Sequence, residues 1–181
     1  MIPFIHLHVH SQYSLLDGQA SVTGLVDKAI ECGMPGFALT DHGNMFGVKE
    51  YFNYVNKLKG KYKGKIAEAK ERLENATPEE AEAIRPEVEA EIAKYEKKLQ
   101  FKPIFGCEMY VAKGSLTDRS DKTDKGRHLV VIAKNLKGYK NLIKIVSQAH
   151  TEGFYHHPRT DKAALAAHRE GLIVCSACLG G

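Results

Sequence analysis

Apolar and polar positions change period several times along the chain, and each change marks an element. Over residues 4–9, Phe, Ile, Leu and Val alternate with histidine-bearing positions, the two-residue period of a strand. Ser21 stands before Val22, Leu25, Val26, Ala29 and Ile30, a stripe at helical spacing, with Gly33 as its stop and Pro35 beyond. Gly36–Leu39 is a short apolar strand running into Thr40-Asp41-His42-Gly43. Tyr51, Phe52, Val55 and Leu58 share one face of a helix predicted over 46–58. Strands are predicted over 102–112 and 128–133, and a helix over 139–152 with Leu142, Ile145, Val146 and Ala149 on one side. A short helix over 161–168 and a strand over 171–176 follow. This alternation predicts an α/β fold with a largely parallel sheet.

Two stretches interrupt the pattern. Residues 59–100 are rich in Lys, Glu and Ala, with a capping box at Thr77–Glu80 and a stripe of Val88, Ile92, Tyr95 and Leu99. They predict a charged, solvated helical hairpin inserted at about 59–100, which Pro86 should kink or split. Residues 113–127 predict a polar, mobile loop. No fixed-period repeat is present, which excludes a solenoid. Cys175-Ser176-Ala177-Cys178-Leu179-Gly180-Gly181 is a strand and turn with no helix to cover it, so a piece of a longer protein is expected.

Composition narrows the class. At 181 residues and 43% apolar content, the chain can bury a real core, and disorder is excluded as its overall state. The longest apolar run, residues 129–133, is strand-sized, so no membrane span is expected. The start, Met1-Ile2-Pro3-Phe4, lacks a signal-peptide pattern, and four cysteines then read as free thiols of a reducing cytoplasm. A net charge of +4 permits an anionic partner without requiring one. Neither a Walker loop nor G-x-G-x-x-G occurs, which weakens nucleotide-cofactor functions. Nine histidines are the compositional anomaly.

Three of them, His6, His8 and His10, share one face of the first strand, where positions i and i+2 can reach one metal. Spacing alone leaves open which two act. Asp41-His42 falls where an apolar strand ends, the usual place for α/β sites, although Asp41 also suits a helix cap. Asp17-Gly18 reads as a turn. Glu108 lies within the apolar run 104–111, where a buried carboxylate must be paired or metal-bound. His128 opens a strand. In Cys175-x-x-Cys178 the two thiols face opposite sides of a strand, so at most one joins a given site. Cys32 and Cys107 read as small buried hydrophobes.

His8-x-His10 with Ser11-Gln12-Tyr13-Ser14-Leu15-Leu16-Asp17-Gly18, then Gly33 through Thr40-Asp41-His42-Gly43-Asn44, resembles the PHP (polymerase and histidinol phosphatase) domain. Gly106-Cys107-Glu108-Met109-Tyr110-Val111, His128–Ala133, Glu152-Gly153-Phe154-Tyr155, Pro158-Arg159 and Ser176–Gly181 narrow the resemblance to the type found at the amino terminus of bacterial DNA polymerase III alpha subunits. It covers nearly the whole chain outside 59–100.

The resemblance implies the N-terminal part of a distorted, TIM-like (β/α)7 barrel, incomplete here, with up to three zinc or manganese ions at its mouth. By motif, the implied ligands are His8, His10, Asp17, His42, Glu108, His128 and Cys178, with His6, Asp41 and Cys175 as neighbours. A final Asp-x-His pair would lie after Gly181. Arg159 is a candidate for steadying phosphate, with a surface ion pair as its other role. The implied function is a cytoplasmic bacterial replication protein, a metal-dependent 3′→5′ exonuclease acting on the DNA 3′ end beside the polymerase. The alternative is a non-catalytic module that braces the polymerase chain and docks a proofreading exonuclease subunit. A stand-alone phosphatase of the histidinol-phosphate type suits the metal set but not the polymerase-like segments.

Overall fold

The structure, a computed structural model, describes residues 4–181. Residues 1–3, where the start of the chain was read as leaderless, lie outside the described residues. Strands β1 (His6–Val9), β2 (Gly36–Leu39) and β3 (Lys102–Val111) run side by side and parallel. Helix α1 (Val22–Glu31) joins the first two, begun by Ser21, whose hydroxyl accepts the Gly24 N–H. Its stripe is buried: Val22 and Val26 pack with Phe37, Leu39, Tyr51 and Val55 in one apolar cluster.

Helix α2 (Val48–Glu74) does not end near residue 58 but continues unbroken into the predicted insertion. The Lys, Glu and Ala residues beyond Leu58 are strong helix formers, and no proline stops them. It packs against α3 (Pro78–Leu99), which starts with the predicted capping box at Thr77 and Glu80. Pro86 does not split α3. It sits on the exposed side, so the one carbonyl it leaves unpaired faces water, while Val88 anchors the same segment in full burial.

The sheet is mixed where a largely parallel one was expected. β4 (Arg127–Ala133) runs antiparallel to β3 and to β7 (Leu172–Ser176). The cause is the helix-free loop before β4: parallel neighbours need a crossover, whereas this loop returns the chain at the end it left. Helix α4 (Leu136–Thr151) then leads to a hairpin of β5 (Phe154–Tyr155) and β6 (His157–Thr160), followed by α5 (Lys162–Ala167). β6 extends the sheet beside the far end of β3. The order β1-β2-β3-β4-β7 makes a curled, open sheet, a half-barrel of TIM-like kind with α1, α2 and α4 outside.

Strand alternation sorts the side chains. On β3 and β4, Cys107, Met109 and Val131 face α4 with Leu142 and Ile145. Val130 and Ile132, one position away, join Ala38, Ile104, Cys175 and Ala177 on the concave side. Glu108 and His128 share the parity of that concave set. No helix of the described residues is long and apolar enough to cross a membrane.

Candidate metal centre

The sheet direction gathers the chemistry at one end. His10 follows β1, Asp41 and His42 follow β2, and Cys178 follows β7. His128 opens its strand, yet reaches the same end because β4 runs opposite to its neighbours β3 and β7. The loop after β1 brings Asp17 across, and Gly18 makes that fold possible. A Cβ on Gly18 would lie 1.9 Å from the Ser11 carbonyl oxygen.

Glu108 is the hub. Its side chain is fully buried, and Oε1 lies 3.1 Å from His8 Nε2, 2.9 Å from His128 Nδ1 and 3.9 Å from Cys178 Sγ. Oε2 lies 3.7 Å from His10 Nε2 and abuts His42 Nδ1. His42 Nε2 in turn meets Asp17 Oδ2 at 2.8 Å, and His8 Nε2 and His10 Nε2 face each other at 3.0 Å. Three overlapping groups result, each with its ligand atoms within 4.8 Å of one another: His8–His10–Glu108, His10–Asp17–His42, and Glu108–His128–Cys178. All seven residues that the family resemblance implies as ligands therefore converge. His6 does not join them; it stays exposed against the edge of Phe4.

The electrostatics fit a cation. Burial pushes the Glu108 carboxyl up, but His42, His128 and His8 outweigh it and hold the group down at about 2. Burial lowers His10, and the neighbouring His42 and His8 add to that against the pull of Glu108. The Glu108 contact raises His42 despite its burial. His42 Nδ1 and Glu108 Oε2 abut each other in burial without forming an aligned hydrogen bond. Imidazole, carboxylate and thiolate donors of this kind suit zinc, manganese or iron better than magnesium.

The model of the PHP domain family matches residues 6–181. The chain belongs to the PHP domain family. It is 40% identical over 180 residues to the DNA polymerase III subunit alpha of Borreliella burgdorferi and 41% identical over 180 residues to that of Treponema pallidum. The corresponding Aquifex aeolicus subunit is 36% identical over 185 residues. Each match covers 98% of this PHP domain but only 12% of the relative's length.

Asp41, expected as a neighbour of the site, is joined there by Ser11 and Ser14, which spacing did not reveal. Asp41 caps no helix. It is buried and accepts hydrogen bonds from the Ser11 N–H at 2.6 Å, the Ser11 hydroxyl at 2.8 Å and the Ser14 hydroxyl at 2.8 Å. Ser14 Oγ, having donated to Asp41, accepts from the His42 N–H at 3.1 Å and from His10 Nδ1 at 2.8 Å. His10 then carries its proton on Nδ1 and turns the Nε2 lone pair toward Glu108 and His8. His150, on α4, reaches the Gly43 carbonyl at 2.8 Å and braces the turn that carries His42. The only sequence signal for Ser11 and Ser14 was their place in the family motif.

Three expectations are corrected. Arg159 is neither a phosphate contact nor a surface pair, because its side chain is fully buried. Its guanidinium donates to the carbonyls of Leu116, Asp118 and Asp124 and pairs with the Asp124 carboxylate at 3.4 Å. The 113–127 segment is thereby tied down rather than free, with Leu116 and Asp124 buried. Cys32 is exposed at the end of α1, whereas Cys107 is buried as expected, and burial pushes its thiol up. Cys175 packs in the concave apolar set, which leaves Cys178 to the site.

Proposed function

We propose that this PHP domain holds a cluster of up to three divalent transition metals on His8, His10, Asp17, His42, Glu108, His128 and Cys178. We further propose that the loaded cluster hydrolyses phosphodiester bonds at the 3′ end of DNA, as part of a longer bacterial replicative DNA polymerase in the cytoplasm. The observation that carries this is Glu108, one buried carboxylate shared by four imidazoles and a thiol. Ions bound there supply an activated water and neutralise charge on the phosphate. The chain's own residues do the rest. Ser14 fixes the His10 tautomer, Glu108 holds neighbouring positions together, and the exposed Asp17 and Cys178 leave the cluster open on the side where substrate enters. DNA enters as the substrate because the relatives are named as DNA polymerase subunits.

The test is a 3′-end-labelled oligonucleotide incubated with the zinc- or manganese-loaded chain extended through the Asp-x-His pair expected after Gly181. Stepwise shortening that disappears in Glu108→Gln is the expected result. A folded, loaded chain that leaves the label intact overturns the proposal.

A groove of about 670 Å³ between α2 and α4 favours the alternative of a docking module. Phe52, Phe105, Leu136 and Tyr139 line it. In that case metal stabilises the fold without hydrolysis, and a partner such as a proofreading subunit sits on the domain.

A further inference from the structure

We propose that His157, backed by Lys125, forms a phosphate-binding subsite beside the metal centre, taking a phosphodiester oxyanion of the same nucleic-acid strand whose terminal bond lies at the metals. The assignment deepens the phosphoesterase proposal and rests on it for the identity of the strand.

The β5–β6 hairpin presents His157 in an unusually constrained way. Tyr155 and His157 pair across a single apical residue, His156, which adopts φ 60°. A non-glycine residue in the left-handed region is uncommon, and such strain persists only where the surroundings enforce it. They do so here: buried Arg159 lies under the Tyr155 ring at 5.0 Å, and β6 is paired to β3.

The His157 ring stacks on Tyr110 with centroids 4.5 Å apart and planes 18° from parallel. Tyr110 stands edge-on to His128 at 5.1 Å and 6.2 Å from His42, so a single aromatic ring separates His157 from two members of the centre. Tyr110 is itself wedged in place. A Cβ on Gly126, at φ 83°, would come within 2.7 Å of it, and one on Gly43, at φ 61°, would strike Pro158 at 2.5 Å. The subsite is therefore rigidly joined to the turn that carries His42.

His157 is half-buried, and its ring nitrogens donate to no group among the described residues, so the stack orients an N–H without occupying it. Burial, and then the neighbouring Lys125, lower the His157 ring, which keeps it a neutral N–H donor with a lysine close by. A fixed N–H donor beside a lysine is an arrangement that recognises a phosphate oxygen.

The experiment titrates tetrathymidylate into the full chain by calorimetry, once metal-free and once zinc- or manganese-loaded. His157→Phe keeps a ring on Tyr110 and removes the donor; His157→Lys supplies an N–H donor in its place. His157→Phe should bind about tenfold more weakly in both states, the cost of one charge-assisted hydrogen bond, with unchanged metal content. His157→Lys should bind within a few-fold of wild type. Equal binding by wild type and His157→Phe, or no uptake by wild type in either state, overturns the subsite. Binding that depends on His157 in a loaded chain that hydrolyses nothing supports the subsite and removes the phosphoesterase proposal instead.

Discussion

Ser14 Oγ lies 2.8 Å from both an Asp41 carboxylate oxygen and His10 Nδ1, and this one hydroxyl decides which nitrogen of His10 faces the metal centre. Partners that orient a ligand in this way typically change metal affinity by about 10–100-fold. Ser14→Ala should therefore weaken zinc binding by about tenfold in chelator competition, with the circular dichroism spectrum unchanged. Unchanged affinity would mean that the strand alone orients His10. Protons compete for the same atoms. Burial and neighbouring imidazoles lower His10, so it stays neutral as the pH falls, whereas the Glu108 contact raises His42, which is protonated first. Metal should then be released as the pH drops through the histidine range, and a chromophoric chelator would follow it. Retention to about pH 4 would remove the histidines from the ligand set. Of the candidate ligands, His8, His10 and Glu108 were legible because histidines at i and i+2 and a carboxylate inside an apolar run have few bland explanations, whereas Asp17, His128 and Cys178 entered through the family motif. Ser14 was not legible, since a serine in a turn has many roles, and Asp41 was legible only as a residue at the end of a strand.

At the scale of elements, sequence period and observed structure agree where a segment buries one apolar face, as in α1 and α4. They part where long-range contacts decide. Nothing local in residues 127–133 gives strand direction; the preceding loop does. Arg159 likewise reads as a surface cation until β6 is placed under the 113–127 loop. Its guanidinium now satisfies carbonyls that would otherwise be buried without partners. Arg159→Ala should cost about 3–5 kcal/mol, the range for breaking a buried ion pair, and open the loop to trypsin at Lys122 and Lys125. Urea unfolding and limited proteolysis would show both; a resistant loop would mean that Leu116 and Asp124 hold it unaided. The distal α2–α3 hairpin contrasts with this. Tyr62, Ala69 and Val88 are buried, yet none belongs to the apolar clusters around the sheet. Replacing residues 61–100 with a short Gly/Ser link should leave folding and metal content intact. Loss of either would show that the hairpin is part of the core.

For the whole molecule, the barrel class was legible through the family motif, but the openness of the sheet has its own physical consequence. β1 and β7 are the outer strands, and among the described residues neither pairs on its far side. A free strand edge offers unpaired N–H and C=O groups to another chain, and apolar side chains beside it add a driving force. Both conditions hold. Ile173 and Val174 of β7 are about half exposed, at 45% and 54%, and Leu7 of β1 is 46% exposed. No lysine, proline or bulge blunts β7, whose sequence is Leu-Ile-Val-Cys-Ser. The metal centre does not cover these edges, so loading it should not protect them. The chain should therefore self-associate with rising concentration, metal-loaded or not, and sedimentation velocity would show the change. Val174→Lys, which places a charge on the open strand, should shift the population back toward monomer while leaving metal content unchanged. A single monomeric species at every concentration, for wild type and variant alike, would mean that the twist of β7 already hides its edge.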